Sequence, residues 1–209
     1  MFRLDNGSLF LFKIIKRRGN RMGKIQPIKG WHQYTSFMDS FENKKHKAML
    51  DNMRHHLKYE CLQDPEIFKT LVPDPEYRFY GGFNNAVIHG MDGVKAFYKD
   101  NLWDSDCSLV ELDIHHCSAG DWGIACDGEW HQQIPGKTLI AQGQEISNPD
   151  SYYLSHAHLS WFLPFKEVNG SILLEGEIVY MDEAGSSLKE LDESDVLSLE
   201  EAKSSWLSL

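Results

Sequence analysis

Residues 53–103 read MRHHLKYECLQDPEIFKTLVPDPEYRFYGGFNNAVIHGMDGVKAFYKDNLW, and the order of signals in this stretch decides the fold. Phe41, Met49, Met53, His56, Leu57 and Glu60 recur at helical spacing, with Glu, Lys and Arg filling the other face, so a helix is expected from Ser40 to Cys61. Asp64-Pro65-Glu66 starts a second, short helix, because Asp is a good N-cap and proline suits the first turn. Pro73-Asp74-Pro75 cannot continue it and forces an extended exit. Tyr77 to Tyr80 reads as a strand closed by Gly81-Gly82. A polar loop follows from Asn84 to His89, and Gly90-Met91-Asp92-Gly93 opens a helix reaching about Trp103.

The second half is strand-like. From Leu109 to Cys117 the chain alternates, with Val110, Leu112, Ile114 and His116 on one face and Glu111, Asp113 and His115 on the other. A turn at Gly120-Asp121 leads to a strand from Trp122 to Gln133, with Trp122, Ile124, Cys126 and Trp130 on one face. Residues 135–153 break the pattern with Pro, Gly and Asn-Pro-Asp and read mainly as a loop, with Leu139-Ile140-Ala141 as a candidate strand. Loops of this length often serve as lids or binding loops. Tyr153–Phe165 and Ser171–Tyr180 are further strands, joined at Asn169-Gly170, a hairpin signal. The tail is Ser- and acid-rich. Ser187-x-x-Glu190 and Ser198-x-x-Glu201 both fit capping boxes, and Leu199, Trp206 and Leu207 are available to dock on the body. Helices followed by antiparallel strands imply an α+β fold.

The chain of 209 residues, 42% hydrophobic and 12% aromatic, suffices for one domain with a sizeable core. No apolar run approaches the roughly 20 residues of a membrane span. Charge is uneven: residues 1–30 hold eight Lys/Arg against one Asp, and the rest holds thirteen against thirty acids. An acidic body argues against nucleic acid as a partner, because phosphate contacts need clustered Lys and Arg. The basic head lacks the apolar core of a secretory signal. It reads as a misassigned start with Met22 as the true first residue, as a disordered arm, or as a targeting peptide. Cys61, Cys107, Cys117 and Cys126 have no CxxC spacing, which argues against structural zinc and fits free thiols in a reducing cytoplasm. The expected organisation is an irregular extension over 1–30, one domain over 31–182, and a tail with short helices over 183–209.

Tyr59 with Asp64, the Gly90-to-Tyr98 segment and the closing Glu175-Gly176-Glu177-Ile178-Val179-Tyr180 carry a family resemblance. Over residues 32–182 the chain resembles the SnoaL-like branch of the nuclear transport factor 2-like superfamily. The resemblance implies N-terminal helices packed in the concavity of a strongly curved, mixed or antiparallel sheet, a cone-shaped barrel around a deep pocket. It also implies a homodimer paired through the outer sheet face, and an acid/base pair of an Asp from the helical segment with a His or Tyr from a strand. Asp64 and Tyr59 stand at the matching place.

Ten histidines supply candidates for that chemistry, since His exchanges protons near neutral pH. Asp64 reads either as a catalytic carboxylate or as a helix cap. His116, at the end of an apolar stripe, reads as a pocket base or a core histidine. His131, beside Asp127 and Glu129 on a polar face, reads as exposed or as lining a polar concavity. His56, Tyr80, Tyr98, Trp161 and His158 are the candidate ligand-binding residues. His156 and His158 point to one strand face and could hold zinc or iron with a third ligand from His131, His116 or Glu177, but no supportive spacing singles one out, so no metal and no cofactor are expected. The leading function is a cofactor-independent lyase or isomerase of the dehydratase, isomerase or cyclase type, acting on a small hydrophobic carbonyl or hydroxyl compound in the cytoplasm. The competing class is a non-catalytic ligand-binding or protein-interaction module of the same fold.

Overall fold

The computed structural model describes residues 23–82 and 85–209. The basic head up to Met22 and the start of the Asn84 loop lie outside the described residues. The expected helix from Ser40 to Cys61 is present as α2, Lys44–Leu62, and an unexpected helix precedes it, α1, spanning Lys29–Ser40. Asn43 caps α2 by accepting from the Lys45 N–H at 2.8 Å, which is why the helix restarts there. The inward stripe of α2 is Met49, Leu50, Met53, His56, Leu57, Glu60 and Cys61. Two of those seven are polar. Asp64 then caps a tight 3-10 turn over Pro65–Thr70.

Strands β1 (Glu76–Gly81) and β2 (Ala86–His89) form a hairpin, followed by α3 (Gly90–Tyr98). Strands β3 (Val110–Gly120), β4 (Gly123–Pro135) and β5 (Tyr152–Val168) are long and antiparallel. Between β4 and β5 the interrupted segment folds as a short helix, α4 (Gly136–Ala141), rather than a strand. One edge of β5 pairs with β4. The other receives three short strands in turn: β8 (Ser187–Glu190), β7 (Ile178–Met181) and β6 (Ser171–Leu174). The main path runs β2-β1-β7-β5-β4-β3, with only β1 and β7 parallel, so the sheet is mixed and stays open. Helix α2 lies against β3, β4 and β6 on the inner face. This is the expected α+β architecture of helices held by a curved sheet.

A β-bulge between Ile114 and His116 changes the reading of β3. The extra residue flips the alternation, so beyond it Cys117 and Ala119 pack inward and His115 and His116 are both exposed. Gly128 stands opposite, where a Cβ would meet Asp113 O at 2.1 Å. The hairpin at Asn169-Gly170 is as expected, with both residues at positive φ. The two tail motifs diverge: Ser198–Glu201 is a capping box that opens α5 (Leu199–Leu207), whereas Ser187–Glu190 is strand β8.

Packing extends beyond the expected domain limits. Ile25 is buried with Leu109, Leu154, Leu191, Leu197 and Ala202, and Lys24 bridges to Glu201 at 2.7 Å. Trp206 from α5 is fully buried in the main core, while Leu207 is exposed. No helix among the described residues is long and apolar enough to cross a membrane.

Candidate functional site

The inner faces of β4, β5 and β7 and the inward stripe of α2 enclose a cavity of about 90 Å³. Its walls are mainly apolar, including Met53, Leu57, Phe97, Leu112, Leu159 and Trp161. Four of its polar groups meet: His56 and Glu60 from α2, Tyr98 from the end of α3, and Glu177 from the approach to β7. His56 and Glu60 meet there because residues four apart share a helix face.

Hydrogen bonds order this group. The Thr70 hydroxyl donates to Ile67 O at 2.5 Å, so its oxygen accepts from His56 Nδ1 at 2.6 Å. That assigns the ring proton to Nδ1 and leaves Nε2 as an acceptor. The Tyr98 hydroxyl lies 2.8 Å from Nε2 and the Tyr77 hydroxyl 3.3 Å, with 3.2 Å between the two hydroxyls. Glu177 Oε1 is 3.5 Å from His56 Nε2. The Tyr98 hydroxyl also hydrogen-bonds the Glu60 carboxyl. With Glu60 neutral, each link has one donor: Glu60 to Tyr98, Tyr98 to His56, His56 to Thr70, and Thr70 to the backbone.

Electrostatics favour that assignment. Burial pushes the His56 imidazole down to about 3, so the ring is neutral at physiological pH. Burial, and then the charge of Glu177, push Glu60 up to about 8. Burial pushes Glu177 up to about 7. The 3.5 Å contact is therefore a neutral imidazole beside a carboxyl poised to titrate rather than a fixed ion pair, because burial opposes charge on both partners. The two carboxyls repel each other's charge, and near neutrality they hold one to two protons between them.

The sequence candidates fall in three places. His56, Tyr98 and Trp161 line the cavity, with Trp161 Nε1 donating to the Tyr34 hydroxyl at 3.2 Å. Asp64 and Tyr59 do not. Asp64 accepts from Glu66 N–H at 2.9 Å as a cap, and Tyr59 faces a shallow surface groove beside His55 and Asp51. His116, His131, His158 and Tyr80 lie on the outer sheet face. His116 Nδ1 is 2.9 Å from Asp127 and its side chain is 84% exposed, so Asp64 and His116 are not brought together. His131 stacks on His156 at 4.9 Å between ring centres, and its Nδ1 has no partner among the described residues. Tyr80 stacks on Tyr180 at 4.8 Å. Glu60 and Glu177 are the functional candidates that sequence reasoning did not assign to a pocket. For Glu60 a signal existed, an acid one turn after a histidine inside an apolar helix stripe.

No family model matches the sequence, and no curated protein matches it. Solved structures of similar fold do. A hexachlorocyclohexane dehydrochlorinase from Novosphingobium barchaimii aligns with 73% of this chain and 94% of its own, at 8% identity and a TM-score of 0.48. A SnoaL-like protein from a Jannaschia species aligns with 68% and 90%, at 9% identity and a TM-score of 0.46. A nuclear transport factor 2-like protein of unknown function from Burkholderia pseudomallei aligns with 66% and 92%, at 15% identity and a TM-score of 0.44. The chain is thus similar to SnoaL-like and nuclear transport factor 2-like structures. At these identities the likeness concerns fold and carries no chemistry.

Proposed function

We infer that the chain is a cofactor-independent lyase or isomerase acting on a small, largely apolar carbonyl or hydroxyl compound in the cavity. The observation that supports this is the meeting of Glu60, Glu177 and Tyr98 around His56 in a largely apolar cavity, where burial pushes the two carboxyls up to about 8 and about 7 and keeps the histidine neutral. Glu177, partly ionised near neutral pH, is the base that takes a proton from the carbon next to a carbonyl. Glu60, still protonated, is the acid. In an elimination it protonates the leaving hydroxyl, which departs as water. The cycle closes when the proton on Glu177 passes to the Glu60 carboxylate through His56 and Tyr98. In an isomerisation the acid protonates the new carbon instead. His56 holds Tyr98 and Glu177 and carries the returning proton between them at Nε2. Removing a positioned acid or base costs about 10²–10⁴ in rate. Screening small hydroxy-carbonyl compounds for dehydration or double-bond migration tests the reading. Activity that survives Glu177→Gln intact refutes it.

One observation favours the second reading, a ligand-binding module without chemistry. The polar groups of the site already satisfy one another, and about 90 Å³ holds only a small molecule. In that case a ligand binds equally well to the wild type and to Glu177→Gln, and no product forms.

The assembly we propose is a homodimer in the cytoplasm. Trp122, Phe162 and Tyr180 are exposed and adjoin one another on the outer sheet face, and a contiguous aromatic surface is costly unless covered. A monomer mass by light scattering at micromolar concentration refutes the dimer.

A further inference from the structure

The outer face of the sheet gathers histidines as the inner face gathers carboxyls. Register brings them together. Glu129 of β4 sits directly opposite His158 of β5 and Asp113 of β3. His115, the extra residue at the β3 bulge, lies on the same surface, with its ring 6.1 Å from that of His158. One ligand atom from each of His115, Glu129 and His158 lies within 4.8 Å of the other two. Alternation along β3 alone puts His115 on the polar face, but only the register across β4 and β5 sets it beside Glu129 and His158.

We propose that His115, Glu129 and His158 form a binding site for a divalent transition metal of the zinc class, on the sheet face opposite the cavity. Two imidazoles and one carboxylate are a donor set for zinc rather than for calcium or magnesium, which take oxygen. Zinc bonds of about 2.0–2.2 Å place neighbouring ligand atoms roughly 3.3 Å apart, so the widest separation among the three needs to close by at most about an ångström and a half. Side-chain torsions of residues on an exposed face supply that. The support around the ligands is already in place. His156 Nε2 binds Glu129 Oε2 at 2.7 Å, while Glu129 Oε1 faces His158 Nδ1 at 3.2 Å. One carboxylate oxygen is thus anchored by an outer-shell histidine and the other is directed at the ligand set, an arrangement that orients metal-binding carboxylates. Asp127 Oδ2, 3.8 Å from His158 Nε2, adds negative charge beside the site. The remaining coordination positions open to solvent and take water.

The test uses the full chain stripped with a chelator, titrated with Zn²⁺ against a chromophoric competitor, and with Co²⁺ read by its visible ligand-field spectrum. One equivalent of saturable Zn²⁺ binding is expected. His115→Ala and His158→Ala should each weaken it by more than about tenfold, and His156→Ala by about tenfold, the range found for outer-shell partners. His116→Ala, next in sequence but paired with Asp127, should leave it within about threefold, less than an outer-shell partner's effect. Circular dichroism of each variant separates lost binding from lost fold. The proposal is overturned by the absence of saturable binding to the folded wild type, by unchanged affinity in His115→Ala and His158→Ala, or by a loss in His116→Ala as large as theirs. None of these outcomes bears on the cavity chemistry.

Discussion

Strands β4 and β5 send alternate residues to two surfaces, and histidine and glutamate behave oppositely on the two sides. On the inner side His56 is neutral and Glu60 and Glu177 are held toward their protonated forms, because burial penalises every charge. On the outer side Glu129 is partly exposed; burial opposes its charge, but hydrogen bonds from His158 and His156 outweigh this and hold the carboxyl below its ordinary value. Identical residue types thus make a proton-transfer set on one face and a cation-ready set on the other. Solvent access, more than residue identity, decides which.

The largest expected effect breaks the inner set. Glu177→Gln keeps the shape but removes the titrating group, and turnover should fall by about 10²–10⁴. The wild-type rate should follow a bell-shaped pH profile, rising as Glu177 ionises near about 7 and falling as Glu60 ionises near about 8. A profile flat across that interval would remove both groups from the chemistry.

The next effect acts on the backbone that presents Glu177. Gly176 has φ +143°, and a Cβ there would meet Glu76 O at 1.8 Å. Gly176→Ala should therefore cost about 3 kcal/mol or more in urea unfolding, through strain and a forced shift of β7 from β1. A loss under about 1 kcal/mol would show that this turn relaxes freely, contrary to a site held by its backbone.

The pH dependence of stability sharpens the comparison because the two faces contribute with opposite sign. Glu60 and Glu177 have native values above the 4.5 of the unfolded chain, so the native state binds more protons and their contribution shrinks as pH rises from about 4.5 toward 8. His56, lowered from 6.5 to about 3, opposes this trend up to about pH 6.5 and adds nothing to the slope above it. Glu129, lowered from 4.5, contributes stability above that value and loses it as pH falls further. Glu60→Gln should thus gain on the wild type between pH 6.5 and 8, by up to about 1.4 kcal/mol per pH unit. Glu129→Gln should be at its greatest disadvantage near neutral pH and recover in acid. Parallel curves for the two variants would contradict the assigned environments.

The sequence made the local features legible and left the long-range ones hidden. The Asp64-Pro65 cap, the Asn169-Gly170 hairpin and the Ser198–Glu201 capping box follow from neighbouring residues and occur as read. The Ser187–Glu190 motif has the same local chemistry, yet pairing with β5 makes it a strand. The β3 bulge leaves no trace in the hydrophobic period and reverses the faces of everything after His115, which is why His116 read as pocket-facing. Glu177 reaches the cavity only because β7 pairs in parallel with β1, about a hundred residues earlier. His56 and Glu60 were visible as polar residues in an apolar stripe, but their meaning depends on Tyr98 and Glu177 arriving from elsewhere.

The smallest expected effect concerns Asp64, which the family resemblance placed in the chemistry. Its carboxylate accepts from the Glu66 N–H at the start of the 3-10 turn, and that turn ends at Thr70, the residue that receives the His56 Nδ1 proton. Asp64 therefore touches the inner site only through the backbone. Asn caps about as well as Asp, so Asp64→Asn should change stability by less than about 0.5 kcal/mol and leave turnover at the wild-type level. Asp64→Ala removes the cap, should cost about 1 kcal/mol, and should loosen the turn that positions Thr70. Thermal melts and rates on the two variants separate the roles. Equal rates in the wild type and Asp64→Asn, with a modest loss in Asp64→Ala, mark a cap that supports the histidine. A collapse of turnover in Asp64→Asn as deep as that of Glu177→Gln would return the carboxylate to the reaction and move the proton-transfer step away from the cavity described here.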